Sequence, residues 1–280
     1  MKSASFPLSR TLATLAVVAL VAGCATQPPE AAARGEVFDP YENTNRAIHD
    51  FNRGVDKALL GPASKGYVST VPEPMVTSLI NFADNLSKPG QAVDFLLQGR
   101  PQEAGIAVLR FAVNSVIGIG GLGDPATELE IPAVETDFGE TLHVWGFGEG
   151  AYLELPLYGP STTRDAVGVM VNIFTNPVDF APTRPVDNLG VYAEIIRRFG
   201  LRGRYSETVD SILYESADSY AQTRIIFLQN RRFELARGDE DAYLDIYDDP
   251  YADTVGDSSL DPYAGIPGDT SLDPYEDPYE

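Results

Sequence analysis

The chain has 280 residues, 44% of them hydrophobic, and a formal net charge of −21 from 20 basic and 41 acidic side chains. Its length and apolar content suffice for one large domain or two small ones. The charge argues against nucleic-acid binding, because a phosphate backbone attracts the opposite sign, and against electrostatic attraction to anionic lipid. One cysteine and two histidines exclude an intrachain disulfide and argue against a metal centre, and we expect no cofactor.

Residues 1–23 have the features of a lipoprotein signal peptide. A basic start is followed by an apolar stretch over residues 11–22, which is too short to span a bilayer core of roughly 30 Å. Small residues then lead to Cys24, as in a bacterial lipobox, so we expect Cys24 to be lipidated; the alternative is an ordinary secretory signal. Ala25, where an Asp would favour retention at the inner membrane, favours the outer membrane.

The next elements predicted are a tether over residues 24–37, rich in Pro and Ala, and a first helix. Asn43 or Thr44 can cap this helix, which is expected to run to about Leu59 and end at Gly61-Pro62. His49 lies beside its polar face and is expected to be solvated or capping rather than a ligand. The predicted apolar face contains Ile48, Phe51, Val55 and Leu59.

A second helix is predicted from residues 71–74 (VPEP), with a break at Pro89-Gly90 and a resumption over residues 91–98. Its apolar stripe contains Met75, Leu79, Phe82 and Leu86. Residues 103–117 then form a helix that is apolar nearly all round, as helices buried in a core or facing lipid are. Because Arg110 and Asn114 lie near its middle, a membrane span is costly, and we expect a helix buried on several sides.

Residues 118–123 match G-x-G-x-x-G, with glycines at Gly118, Gly120, Gly121 and Gly123. A dinucleotide site requires these glycines between a strand and a helix. Here a predicted helix precedes them and Asp-Pro follows, so we reject that interpretation. The glycines instead predict a hinge or a close approach of two backbones.

Residues 137–165 are rich in Gly and aromatic side chains and predict a long loop around Trp145, the only tryptophan. Trp and Tyr favour the water–lipid boundary, although the loop could equally fold on the core. Three more helices are predicted: from Ser161 or Thr162 to Phe174, from Asn188 to Phe199, and from Ser206 to Arg237.

Residues 239–280 contain 14 acidic residues, no Lys or Arg, and Asp-Pro-Tyr units that begin at residues 249, 261, 273 and 277. Such a segment buries too little apolar surface to fold alone, so we expect a disordered acidic tail. The repeated units are either docking motifs or part of an inert, solvated tail. The folded domain is therefore expected over residues 38–238.

Several segments within residues 38–237 occur in a characteristic order: FDPYENTNRAIHDFNRGVD, NFADNLSKP, DFGETL, WGFGEG, YLELPLYGPS, TRD and NPVDF. This set resembles the MlaA (VacJ) family of outer-membrane lipoproteins. The resemblance implies a mainly α fold, a compact ring-like bundle of amphipathic helices with Gly-rich loops, embedded in the periplasmic leaflet of the outer membrane. It also implies a phospholipid substrate that passes through an amphipathic channel to a soluble periplasmic carrier, with a porin trimer as partner.

We expect two segments to shape or gate the lipid path. They comprise Gly118, Gly120, Gly121 and Gly123, and Phe138, Leu142, Trp145 and Phe147. Two other functions remain open: a scaffolding lipoprotein that moves no lipid, and a lipid hydrolase. The hydrolase is disfavoured because the chain has no G-x-S-x-G elbow and only two histidines.

Overall fold

The computed structural model describes residues 37–175 and 189–236, which are mainly helical with one two-stranded antiparallel sheet. The predicted mainly α class is confirmed. Contacts between residues divide the chain into two units, Met1–Arg231 and Arg232–Glu280, and in the second only residues 232–236, which end the last helix, are described. The predicted signal peptide, Cys24 and the acidic tail lie outside the described residues.

The helices are numbered α1 to α10 and the strands β1 and β2 along the chain. The first half contains α1 (Glu42–Val55), a π-helical turn (Asp56–Leu60), α2 (Gly61–Thr70), α3 (Glu73–Leu97), α4 (Pro101–Val116), α5 (Pro125–Glu128) and α6 (Phe138–Val144). The second half contains β1 (Tyr152–Leu155), β2 (Gly159–Thr162), α7 (Thr163–Thr175), α8 (Leu189–Arg204), α9 (Ser206–Asp210), a second π-helical turn (Ser211–Glu215) and α10 (Ser219–Leu235).

The predicted helix end at Gly61-Pro62 is wrong, because helical backbone continues from α1 through the π-helical turn into α2. The Gly61 N–H donates to the Asp56 carbonyl, five residues earlier. Pro62 lies in the first turn of α2, where its missing N–H is tolerated because the wider π-helical turn has already interrupted the regular pattern.

The predicted break at Pro89-Gly90 is also wrong, since α3 runs for 25 residues with Pro89 inside it. A proline within a helix costs about 3 kcal/mol. Packing of α3 against both α4 and α8 offsets this cost. The core on α3 includes Val76, Ile80 and Phe95, each at most 7% exposed.

The predicted loop over residues 137–165 contains a short helix and a β-hairpin. Strand β1 pairs with β2 in the register Tyr152↔Thr162 to Leu155↔Gly159. Leu157 and Gly159 have positive φ angles of 62° and 98°, which allow the tight connection. The sequence did not predict either element, because the aromatic residues of this segment follow neither a helical nor an alternating pattern.

The predicted helix α7 is confirmed to within two residues at its start and one at its end, whereas α8 continues past its predicted end at Phe199 to Arg204. The glycine in this extension allows α8 to pack closely against α2, because a Cβ on Gly203 would lie 2.6 Å from the Ser64 carbonyl oxygen. The long helix predicted from Ser206 is interrupted, because Ser216 is extended and Asp218 begins α10 by accepting from the Ala221 N–H at 3.0 Å.

Two arginines, the buried Arg231 and the partly buried Arg202, join distant parts of unit Met1–Arg231. Arg231 of α10 donates to Asp137 at 2.8 Å and to Asp165 at 3.0 Å, which ties α10 to the starts of α6 and α7. Arg202 of α8 donates to both oxygens of Asp56, at 2.8 and 2.7 Å, and to Asp210 at 2.7 Å. Burial acts to raise the pKa of Asp56, but hydrogen bonds from Arg202 and Tyr214 outweigh it and lower this pKa.

We predict that Arg202→Gln lowers the free energy of unfolding at pH 7 by about 3 kcal/mol, because it leaves the Asp56 carboxylate buried without its cation. Since the folded-state pKa of Asp56 is lowered, the stabilisation exists above its unfolded pKa and is lost as the pH falls through the folded value. The difference in the free energy of unfolding between the variant and the wild type should therefore become smaller at acidic pH. Denaturant titration followed by circular dichroism measures both effects.

Arg204→Gln is the matched control, because Arg204 lies on the same helix as Arg202 but pairs with Glu73 of α3, at 2.6 Å, nearer the surface. Such a pair contributes at most about 1 kcal/mol. Equal losses in the two variants would contradict a special role for Arg202.

Candidate functional site

Large apolar side chains of α4 lie on the outside of the protein. Val116 is 81% exposed and Ile119, just beyond the helix, is 78% exposed. The buried side of α4 is instead made of Ala104, Ala107, Arg110 and Asn114. The prediction of a helix buried on several sides is therefore wrong: its small and polar residues face inward and its large apolar residues face outward.

Helix α1 and the π-helical turn after it have the same inverted distribution. Phe51 and Leu59, on the predicted apolar face, are 54% and 61% exposed, whereas Asn45 and His49 are 2% and 3% exposed. The expectation of a solvated or capping His49 is wrong, because the polar face of α1 packs against other polar groups. Burying a polar side chain is costly unless it forms hydrogen bonds, so the partners of these residues explain the arrangement.

Asn45 joins α1 to β1 by two hydrogen bonds. Its amide donates to the Tyr152 carbonyl at 3.0 Å, and its side-chain oxygen accepts from the Glu154 N–H at 3.0 Å. Glu154 in turn accepts from the Tyr152 hydroxyl at 2.6 Å. Burial, followed by the charge of Glu154, raises the pKa of Tyr152 and keeps this donor protonated.

His49 connects the same cluster to the start of α10. Its Nε2 lies 3.0 Å from the Ser219 hydroxyl, and its Nδ1 lies 3.4 Å from a Glu154 oxygen. The Tyr220 ring meets the imidazole edge to face, with ring centres 5.7 Å apart. Three elements far apart in sequence therefore share one buried polar cluster.

The outer part of this cluster is held by ion pairs. Arg224 donates to Asp39 at 2.6 Å, and the Tyr220 hydroxyl also donates to Asp39. Arg46 donates to both oxygens of Asp218, at 3.0 and 2.9 Å. These bonds and the α10 backbone lower the pKa of Asp218 to about 2.

Two clefts open beside His49 and Arg53, which line both. The first has a volume of about 320 Å³, and its other lining residues are Arg46, Asp50, Ser216, Ala217, Asp218, Ser219 and Tyr220. The second has a volume of about 210 Å³ and a more apolar wall that includes Leu60, Leu157, Tyr158, Pro160 and Leu213. A charged cleft and an apolar cleft therefore adjoin at the same two side chains.

The predicted glycine segment forms a tight turn after α4. Gly120 and Gly121 have φ angles of 72° and 95°, and a Cβ on Gly121 would lie 2.6 Å from the side-chain nitrogen of Asn85. Gly118 is similarly close to Gly123, whose carbonyl oxygen would lie 2.6 Å from an added Cβ. The predicted close approach of backbones is thus confirmed.

The predicted aromatic segment lies at the C-terminal end of α3, whereas the glycine turn lies beside its middle. The indole N–H of Trp145 donates to the Leu97 carbonyl at 3.0 Å, and Phe138 meets Trp145 edge to face. Leu142 is half-buried, whereas Phe147 is 56% exposed. Burial and the nearby carboxylates of Asp137 and Glu140 raise the pKa of Asp94, on this end of α3, to about 7.

The structure does not bring the two predicted segments together. The glycine turn contacts α3 at Asn85 and Trp145 contacts it at Leu97. At a rise of 1.5 Å per residue these positions are about 18 Å apart along the helix. A lipid path that includes both segments would therefore have to run along α3.

Sequence reasoning missed the buried polar cluster, although a signal for it existed. Polar residues recur on α1 and the following turn at Asn45, His49, Asn52 and Asp56, with helical spacing. Of these four residues, the sequence-based prediction covered only the environment of His49, which was expected to be solvated or capping. Among the described helices, none combines the length and hydropathy needed to cross a membrane, and the described residues hold no cluster suited to a metal ion.

Comparison with known proteins identifies the relatives of this chain. A family model described as MlaA lipoprotein matches residues 37–234. The intermembrane phospholipid transport system lipoprotein MlaA of Escherichia coli (strain K12) is 32% identical over 225 residues, which cover 79% of this chain and 86% of that protein. The protein of the same name from Haemophilus influenzae is 37% identical over 57% of this chain and 64% of that one.

A solved structure also matches the fold. It comes from work on the structural basis for maintenance of bacterial outer membrane lipid asymmetry. Its TM-score is 0.61 at 28% sequence identity, and the match covers 70% of this chain and 98% of the solved chain.

We predict that Gly121→Ala lowers the free energy of unfolding by at least 2 kcal/mol, because it combines an unfavourable φ with displacement of the buried Asn85 side chain. Gly120→Ala is the matched control: it has a similar φ but open space around the added Cβ, so about 1 kcal/mol is expected. Thermal unfolding of both variants measures the difference. Indistinguishable unfolding would show that the approach to Asn85 is unimportant.

Proposed function

Because the chain belongs to the MlaA lipoprotein family, we propose that it removes misplaced phospholipids from the outer leaflet of the outer membrane and so maintains lipid asymmetry. Its lipids would pass through an amphipathic channel to a soluble periplasmic carrier. No chemical step is required, and the chain is proposed to be a transporter component rather than an enzyme.

One structural observation supports this proposal above the others: on α1 and α4, polar side chains are buried and large apolar side chains are exposed. Exposed apolar faces, such as those of Val116 and Phe51, suit contact with acyl chains in the periplasmic leaflet. A buried polar interior suits headgroups, since a headgroup that enters bare hydrocarbon loses hydrogen bonds at a cost of several kcal/mol.

The glycine turn and the Trp145 segment are proposed to shape or gate the lipid path. Both contact α3, and both place apolar side chains outward, at Ile119 and Phe147. Glycines with positive φ give a connection whose geometry depends on having no Cβ. The exposed apolar faces are also proposed to contact a porin trimer.

Cys24 is proposed to carry the acyl anchor, which would deliver the chain to the outer membrane and supplement its apolar faces. Each acyl methylene buried in the bilayer contributes about 0.8 kcal/mol, so several chains give a stable attachment where one is marginal.

Deleting the gene from the native bacterium should increase phospholipid at the cell surface, measured with a membrane-impermeant amine-reactive probe. The wild-type gene should reverse this increase. A Gly120→Val variant should reverse it incompletely at an equal protein level, because the side chain is added in open space but changes the turn. Unchanged surface phospholipid in the deletion strain would instead favour a scaffold without lipid transport.

Cys24→Ser, expressed behind a signal that still exports the chain, separates the anchor from the apolar faces. We expect the variant to remain with membranes after a high-salt wash, because apolar contacts are insensitive to salt. Immunoblots of washed membrane and soluble fractions measure this. Recovery of a soluble monomer would show that the acyl anchor alone holds the protein on the membrane.

A further inference from the structure

The two clefts beside His49 and Arg53 match the two chemically different parts of one lipid. The larger cleft is lined by charged and hydroxyl side chains, among them Asp50, Asp218 and Ser219. The smaller one has a mainly apolar surface, with side chains such as Leu60 and Leu213, and is also lined by the Asp56 and Glu154 carboxylates, which are paired with Arg202 and Tyr152. A ligand that fills both must have a charged part and an apolar part joined near Arg53.

The charges that line the larger cleft balance. Two arginines, Arg46 and Arg53, face two aspartates, Asp50 and Asp218. A cleft with both signs suits a zwitterion, whereas a headgroup with only negative charge would occupy Arg53 and leave the Asp50 carboxylate without a cation. The net charge of −21 on the chain as a whole further disfavours an anionic ligand.

The two arginines differ in their freedom to bind a ligand. Arg46 is engaged by Asp218 on one edge and by Glu42 at 2.7 Å on another, and its guanidinium lies 4.5 Å from the centre of the Tyr220 ring. Replacing these partners would disrupt the attachment of α10 to α1. Arg46 therefore has a structural role in this cleft.

Arg53 has weaker partners. Its side chain is 42% exposed and pairs with Asp50, one turn earlier on α1, at 3.1 Å, and it lies 3.3 Å from the Ser219 hydroxyl. An exposed pair of this kind contributes 1 kcal/mol or less. A phosphate can displace the Asp50 carboxylate at small cost and accept two hydrogen bonds from the planar guanidinium.

We propose that this site binds the headgroup of a zwitterionic phospholipid, with its phosphate on Arg53 beside the Ser219 hydroxyl and its ammonium group against Asp50. The glycerol and the start of an acyl chain lie in the smaller, apolar cleft. This site deepens the proposed lipid-transport function and rests on it. It makes Arg53 a substrate-binding residue and Asp50 a residue that discriminates between headgroups.

Native mass spectrometry of the full-length lipidated protein tests the site. The protein is equilibrated with mixed detergent micelles that contain equal amounts of phosphatidylethanolamine and phosphatidylglycerol. Wild-type protein should retain phosphatidylethanolamine in preference. Arg53→Gln should bind it about tenfold more weakly, as expected for loss of a charge-assisted, two-bond contact.

Asp50→Asn provides a readout that a merely structural role would not change. Because Asp50 is 67% exposed, the variant should fold normally. It should still bind phosphatidylglycerol through Arg53 but lower the ratio of bound phosphatidylethanolamine to phosphatidylglycerol about threefold, because only the ammonium group loses its partner. Arg204→Gln is the control, since it makes the same charge change as Arg53→Gln at a surface ion pair outside both clefts.

The outcomes separate the site from the function on which it rests. Equal binding of both lipids by the wild type, or equal loss in Arg53→Gln and Arg204→Gln, would overturn the headgroup site while lipid transport still stands. A preference for phosphatidylglycerol would overturn the zwitterionic assignment. If the wild-type protein retains no phospholipid of either kind, the proposed function falls together with the site.

Discussion

The need to pair buried polar side chains determines how this protein is assembled. Asn45 is 2% exposed, and burial of its side-chain amide would be strongly unfavourable without hydrogen bonds. The backbone of β1 supplies these hydrogen bonds through the Tyr152 carbonyl and the Glu154 N–H. His49 imposes the same requirement on the start of α10 through Ser219. Each pairing joins segments more than one hundred residues apart. The interior thus depends on specific geometry more than on apolar volume.

This constraint explains which predictions succeeded. The helical character of most segments, the limits of α7 and the helix that precedes the glycine turn follow from local patterns, and the structure agrees with them. The inward face of each helix does not follow from such patterns. The apolar side of an amphipathic helix marks the core only where water surrounds the protein. Phe51 and Val116 are exposed, which agrees with the proposed contact of these faces with acyl chains rather than water.

The helix ends predicted from proline and glycine were wrong for a related reason. Pro62 and Pro89 are both accommodated in continuous helical backbone, one after a π-helical turn and the other within a helix packed on two sides. Gly203 permits α8 to approach Ser64 closely. These residues have local preferences of about 1 to 3 kcal/mol, which tertiary contacts can exceed. The contacts involve residues distant in sequence, so a pattern confined to one segment does not reveal them.

The same reasoning about partners distinguishes structural charges from charges available for binding. Arg202, Arg231 and Arg46 each hold carboxylates from other elements, and replacing those partners would separate the elements. Arg53 instead pairs with a carboxylate one turn away on its own helix, so its exchange for a phosphate leaves the fold intact. Transport also requires that the lipid be released, which strong ion pairing would oppose. A weakly paired, half-exposed arginine between a charged and an apolar cleft meets both requirements.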